Sequence, residues 1–289
     1  MKIGIATDSH SGISQEEAAK LGVLVLPMPF YFGEECYYEG ISITREDFFA
    51  RLEAGQSVST SQPSPESVMA LWREGLTRFD KLIYIPMSSG LSGSYSTAKM
   101  LAEEEEFEGK VFVVDSGRVS TPLHRMVLDG LELIDQGCSA EEVFALLESF
   151  HDKMCIYVAV DTLEHLKRGG RVSSASAAIG SLLNIKPILR FDVGMLESVH
   201  KSRGMKKARR TMLETFQQEL EQTYPEGYAQ RVHLLAASSA DAETTKAWKE
   251  EIQEFFPGME VQSDYLSLGL SCHIGPNGLG VAYSEKISK

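Results

Sequence analysis

Positive charge is scarce in this chain: 28 lysines and arginines stand against 41 acidic residues, a net of −13. A protein with that balance is repelled as a whole by a phosphate backbone or an anionic membrane surface, which argues against nucleic acid as a partner. Cysteine is scarce too. Cys36, Cys138, Cys155 and Cys272 are far apart, and the absence of any C-x-x-C or Cys/His cluster argues against a zinc site or a redox pair. They read as reduced core thiols. Long apolar runs are missing: residues 21–32, the most hydrophobic stretch, are broken by Pro27 and Pro29 and fall short of the roughly 20 residues that cross a bilayer. That leaves no stable membrane insertion and at most transient contact. The opening Met1-Lys2-Ile3-Gly4-Ile5 runs directly into a strand-like segment with none of the regions of an export signal, so the cytoplasm is the expected compartment. Internal repeats and low-complexity linkers are absent as well.

What is present is regular. At 289 residues the chain suits two domains, each able to bury its own core. Strand-like runs at residues 3–7, 23–26, 82–85, 111–114 and 155–160 alternate with helical stretches, the pattern of a mainly parallel sheet. Helix starts are marked by capping-box spacing at Ser14 to Glu17 and Ser139 to Glu142, and by Pro65 directly behind Ser64. After residue 155 the texture changes, with β-prone runs at 185–189 and 195–199 flanking the hairpin-like Asp192-Val193-Gly194. Met205, Ala208, Met212, Leu213, Phe216 and Leu220 then recur at three- and four-residue spacing, one face of a helix. The expected fold is α/β in two domains. Residues 1–155 form a three-layer α/β/α domain on a mainly parallel sheet, and residues 156–289 an α+β domain on a mixed or antiparallel one.

Ligands of open parallel sheets bind beyond the carboxyl ends of the strands, and here those exits are rich in hydroxyls. The first leads into Asp8-Ser9, the third into Ser88-Ser89-Gly90-Leu91-Ser92-Gly93-Ser94-Tyr95, the fourth into Asp115-Ser116, and Ser59-Thr60-Ser61-Gln62-Pro63-Ser64 precedes the helix at Pro65. Small hydroxyls and glycines serve caps and turns without any ligand; several such loops together can also surround one anionic group. Neither G-x-x-x-x-G-K-[ST] nor G-x-G-x-x-G occurs, and Gly90 to Ser94 do not form G-x-S-x-G, which argues against a nucleotide site and conventional serine hydrolysis. His273 stands in a glycine-rich turn, residues 271–280. A basic cluster, Lys201, Arg203, Lys206, Lys207, Arg209 and Arg210, with Lys167, Arg168 and Arg171 ahead of it, stands out on an acidic protein as a solvated helix face or a docking patch. The glutamates at 103–106 read as a solvated face.

Taken in order, Thr7-Asp8-Ser9, Thr60-Ser61-Gln62-Pro63-Ser64, residues 88–95, Asp115-Ser116, Leu166-Lys167-Arg168-Gly169-Gly170-Arg171, Ile185-Lys186-Pro187-Ile188-Leu189, Arg203-Gly204 and His273-Ile274-Gly275-Pro276 resemble the DegV family. These are bacterial fatty-acid-binding proteins that serve as binding subunits of fatty acid kinase, in phospholipid metabolism. The resemblance implies a fatty acid between two domains, with its carboxylate on Thr60 and Ser92 and with Ser61 and Gly93 beside them. It implies that His273 and Arg203 lie near the head group, the 271–280 turn returning to the ligand site. It further implies that Lys167, Arg171 and Arg203 face a separate ATP-binding kinase subunit, and that no cofactor is needed beyond the lipid. The chain itself would then be a carrier and not an enzyme. The competing readings are an acyl-ester or thioester hydrolase using Ser92 and His273, a kinase acting alone, and a DNA-binding regulator. One segment departs from the family: residues 118–124 read Arg-Val-Ser-Thr-Pro-Leu-His where small residues and glycine are usual, which bears on the wall of the acyl pocket.

Overall fold

Capping chemistry and apolar periodicity place the helices, and short β-branched runs place the strands between them. The computed structural model describes residues 1–177 and 184–287, and the chain divides into two compact units, Met1–Asp152 together with Ile287, and Lys153–Lys286.

In the first unit the elements run β1 (Ile3–Asp8), α1 (Gln15–Leu21), β2 (Leu24–Leu26), β3 (Phe30–Phe32), β4 (Glu35–Tyr37), α2 (Arg45–Glu53), β5 (Val58–Thr60), α3 (Pro65–Leu76), β6 (Lys81–Ile85), α4 (Ser94–Ala102), β7 (Val111–Val113), α5 (Thr121–Asp135) and α6 (Ala140–Ser149). The main sheet is parallel throughout, in the order β2-β1-β6-β7. The expected caps are made: Ser14 accepts from the Glu17 amide, Ser64 from Ser67 with Pro65 behind it, and Ser139 and Glu142 form a reciprocal capping box. Trp72 of α3 and Phe107 pack edge to face over this sheet at 5.2 Å, with Tyr84 at 5.6 Å from Trp72. A small antiparallel sheet, β4-β3-β5, is an addition that the periodicity does not announce. Its strands are three residues long, too short to show an alternation.

The second unit runs β8 (Met154–Ala159), α7 (Glu164–Gly169), α8 (Ser174–Ala177), β9 (Ile185–Phe191), β10 (Glu197–Arg203), α9 (Met205–Thr223), β11 (Val232–Ser238), α10 (Ala242–Phe255), β12 (Val261–Tyr265), α11 (Leu268–Ile274) and β13 (Leu279–Glu285). The sheet order is β10-β9-β8-β13-β11-β12, antiparallel except for the β11–β12 edge, so the sheet is mixed. The hairpin at residues 192–194 joins β9 to β10, with a register shift between Ser198 and His200. Ala208, Met212, Leu213, Phe216 and Leu220 of α9 are all fully buried, as their spacing requires. They pack with Trp248 of α10 on one face of the sheet. Among the described residues no helix is long and apolar enough to cross a membrane.

Candidate functional site

The strand exits of the first unit come together, and hydroxyls do much of the joining. Thr7 donates to the Ile85 carbonyl at 2.7 Å. Asp8 accepts from the amides of His10 at 2.9 Å and Met87 at 2.8 Å, tying β1 to β6. Ser9 accepts from Met28 at 3.0 Å beyond β2, and Ser116 donates to Pro86 at 2.7 Å, tying β7 to β6. Ser88 is fully buried, its amide donating to the Arg118 carbonyl at 2.7 Å and its hydroxyl accepting from Gly90 at 3.2 Å. Satisfied, buried hydroxyls of this kind are part of the frame. Asp8 is buried without a cation among these partners, and burial pushes its carboxyl up to about 6, against the two amide bonds that pull it down.

A second set stays nearer the surface. Thr60 is half-buried at the end of β5, opposite Phe30 in the small sheet, and Ser61 is exposed beside it. Ser92 is half-buried, its hydroxyl 2.7 Å from that of Ser94 and accepting from the Ser94 amide at 3.2 Å. The next residue, Gly93, is the N-cap of α4 and supplies no side-chain cap. Gln62 joins the two loops. Its Oε1 accepts from Thr97 of α4 at 3.4 Å, and a Cβ on Gly93 would lie 2.7 Å from that same oxygen. The T-S-Q-P and S-G-S loops therefore meet at the start of α4, where the helix dipole and first amides favour a negative group. No imidazole or carboxylate is hydrogen-bonded to Ser92 among the described residues. A nucleophile needs such a base.

The remaining candidates belong to the second unit. His273 lies near the end of α11, and its imidazole rests against Gly169, the last residue of α7. Burial, with the Arg171 guanidinium and His165 nearby, pulls its pKa down to about 4, so the ring is neutral at physiological pH. Arg171 donates to the Gly169 carbonyl, and its own carbonyl accepts from Leu196 at 3.1 Å, which ties the Gly-Gly-Arg loop to the β9–β10 hairpin. Lys167 is half-buried on α7. Arg203, at the end of β10, is exposed, as are Lys201, Lys206 and Lys207, and none of these four makes an ion pair among the described residues. Arg209 and Arg210, by contrast, pair with Glu251 and Glu214. The described residues contain no cluster of three or more His, Cys, Asp or Glu suited to a metal ion.

The segment that departs from the family pattern is buried. Arg118 is fully enclosed and donates to the Phe150 carbonyl at 2.9 Å; His124 sits 3.6 Å from Glu17. Ser120 between them has φ 59° and ψ −144°, a conformation that costs a non-glycine residue on the order of 1–3 kcal/mol. Its amide donates to the His10 carbonyl at 2.8 Å, and its carbonyl accepts from Leu123 and His124. Nothing in the residue pattern announces this turn, because serine ahead of a helix ordinarily reads as a cap.

A parallel-sheet unit with paired polar loops at its strand exits, followed by a mixed-sheet unit with a neutral histidine and a basic edge, defines a two-domain α/β protein with a polar seat at a helix start. The family model described as DegV, an uncharacterised protein family, matches residues 2–286, and the chain belongs to the DegV family. Protein DegV of Bacillus subtilis is 32% identical over 288 residues, 99% of this chain and all of that one. A DegV domain-containing protein of Deinococcus radiodurans is 32% identical over 283 residues, 98% of each chain. Among solved structures, a fatty-acid-binding DegV family protein from Thermus thermophilus has a TM-score of 0.86 at 33% identity, covering 99% of this chain and 100% of its own. The Bacillus subtilis fatty acid binding protein DegV has a TM-score of 0.82 at 30% identity, covering 99% and 100%.

Proposed function

We propose that this chain binds a long-chain fatty acid, with the carboxylate on Thr60 and Ser92, and presents it in the cytoplasm to a separate ATP-dependent kinase that forms the acyl phosphate. The observation that carries the reading is the meeting of the Thr60 and Ser92 loops, through Gln62, at the start of α4. Its counterpart is the likeness, over nearly the whole chain, to DegV proteins that bind fatty acids. Burying an acyl chain contributes roughly 0.8 kcal/mol per methylene, on the order of 10 kcal/mol for a C16 tail before ordering costs. A hydrogen bond to a charged acceptor adds only about 1.5–3 kcal/mol. The tail sets affinity; the hydroxyls set where the head group points. Hydroxyls and a neutral His273 hold a carboxylate without a tight ion pair, which leaves an oxygen for phosphoryl transfer.

Mass spectrometry of an organic extract of the purified protein tests the ligand class. A stoichiometric long-chain fatty acid is expected, and an extract without one overturns the reading. In the double variant Thr60→Val, Ser92→Ala, lipid should remain in the extract while acyl-phosphate formation with a kinase partner falls by tenfold or more, about 1.4 kcal/mol. Complete loss of lipid would mean that the hydroxyls hold the ligand and do not merely aim it. Labelling of Ser92 by a fluorophosphonate probe would favour the hydrolase instead.

A further inference from the structure

The L-K-R-G-G-R segment, with His165 directly ahead of it, and the H-x-G-P segment are about a hundred residues apart in sequence, yet each stretch supplies a bare glycine for a histidine of the other. A Cβ on Gly169 would lie 2.6 Å from Cε1 of His273 and closer still to Nδ1. A Cβ on Gly275 would lie 2.6 Å from Cδ2 and 3.0 Å from Nε2 of His165. Real Cβ atoms essentially never come so near. Gly169 therefore needs no unusual backbone to be required; its missing side chain is the space that the His273 ring occupies. Gly275 has a second reason, a φ of 76°. The two short helices α7 and α11 are thus locked by reciprocal ring-on-glycine contacts, with Ser239 holding the Gly275 carbonyl at 2.7 Å from behind.

We infer that His165 and Gly169 are positioning residues for His273: the interlock holds the His273 ring with its Nδ1–Cε1 edge against α7 and so fixes the one orientation in which the ring can meet a ligand. The inference rests on the proposed placement of His273 at the fatty acid head group, and refines it. The charged and titratable groups around the pair are Arg171 and His165 for His273, and Arg168 and Glu164 for His165. The arginines oppose protonation of either ring, and so does burial; only Glu164 favours it. His165 Nδ1 is itself buried with no hydrogen-bond partner among the described residues, so the ring acts here as a wedge.

The test is a histidine NMR pH titration of the full-length, lipid-stripped protein, with His273→Gln used to assign the His273 signal. The wild-type His273 midpoint is expected at about 4. Gly169→Ala, where it folds, removes the seat of the ring, and His165→Ala undoes the reciprocal contact that locks α11 to α7; in both the midpoint moves toward the ordinary 6.5. His165→Phe refills the wedge and should restore the low midpoint. Fatty acid affinity should fall by about tenfold in His165→Ala and in His273→Gln and recover in His165→Phe. An unmoved midpoint in His165→Ala overturns the positioning role. A midpoint that moves while lipid affinity stays level in both His165→Ala and His273→Gln upholds the interlock and overturns the placement of His273 at the head group.

Discussion

Asp8 accepts two backbone amides from different strand exits, so it is the residue on which the geometry of the first unit's loops depends most directly. Its folded pKa of about 6 lies above the ordinary 3.8. The folded chain therefore binds the proton more tightly than the unfolded one, and the burden of keeping Asp8 ionised is fully present above pH 6. It is relieved as pH falls from about 6 toward 3.8. Asp129, raised to about 6 by burial against the pull of Arg125 and Arg118, acts in the same direction; His273, lowered to about 4, acts in the opposite one between pH 6.5 and 4. Asp8→Asn isolates the first contribution. Going from pH 7.5 to 5, the wild type should gain on the order of 1 kcal/mol over Asp8→Asn in urea unfolding, and a pH-independent difference would show that Asp8 does not titrate in this window. The sequence displays Asp8, Ser9, Ser88, Ser92 and Ser116 as one class of polar strand-exit residue. Only burial divides them, with Asp8, Ser88 and Ser116 enclosed in the frame and Ser92 left near the surface. The same side-chain chemistry suits a turn and a ligand, so residue type alone does not separate the two.

At the level of elements, what the sequence makes legible is what has local periodicity or a local cap. The apolar face of α9, the serine caps of α1, α3 and α6, and the strands of the parallel sheet all have that character. The small sheet does not, yet it carries Thr60. β5 is held through cross-strand pairs, Thr60 with Phe30 and Val58 with Phe32, and both phenylalanines pack on Phe48 of α2, with ring centroids at 5.4 and 5.5 Å. Phe48 is fully buried. Phe48→Ala should lower stability by about 3–5 kcal/mol and weaken fatty acid binding as well, because the support of β5 is lost. Phe107→Ala, an equally buried ring on Trp72 outside the small sheet, serves as the comparison: similar destabilisation with little effect on lipid. Equal lipid affinity in the two variants, measured where both are folded, would show that the small sheet does not hold the seat.

Across the whole molecule the charge is −13, and against that background the cations of the second unit that make no ion pair among the described residues, Lys201, Arg203, Lys206 and Lys207, are conspicuous. Lys206 and Lys207 lie in the first turn of α9, a 19-residue helix with no acidic residue in that turn. There the macrodipole is already positive, and an added cation is unfavourable by a few tenths of a kcal/mol or more. Arg203 adds a third charge just ahead of it. An arrangement that opposes the helix dipole is offset when an acidic surface docks on it, which favours the proposed docking role of Arg203. Exposed charges govern encounter more than residence, and are screened beyond about 8–10 Å at physiological salt. In Arg171→Glu, Arg203→Glu the rate of acyl-phosphate formation should therefore fall at least tenfold at low salt, with bound lipid unchanged by mass spectrometry. The deficit should narrow as salt is raised, because salt weakens the wild-type attraction and the variant's repulsion together. Normal turnover in the double variant at low salt would remove the basic edge as the docking surface, whereas loss of lipid would place these arginines in the binding site itself.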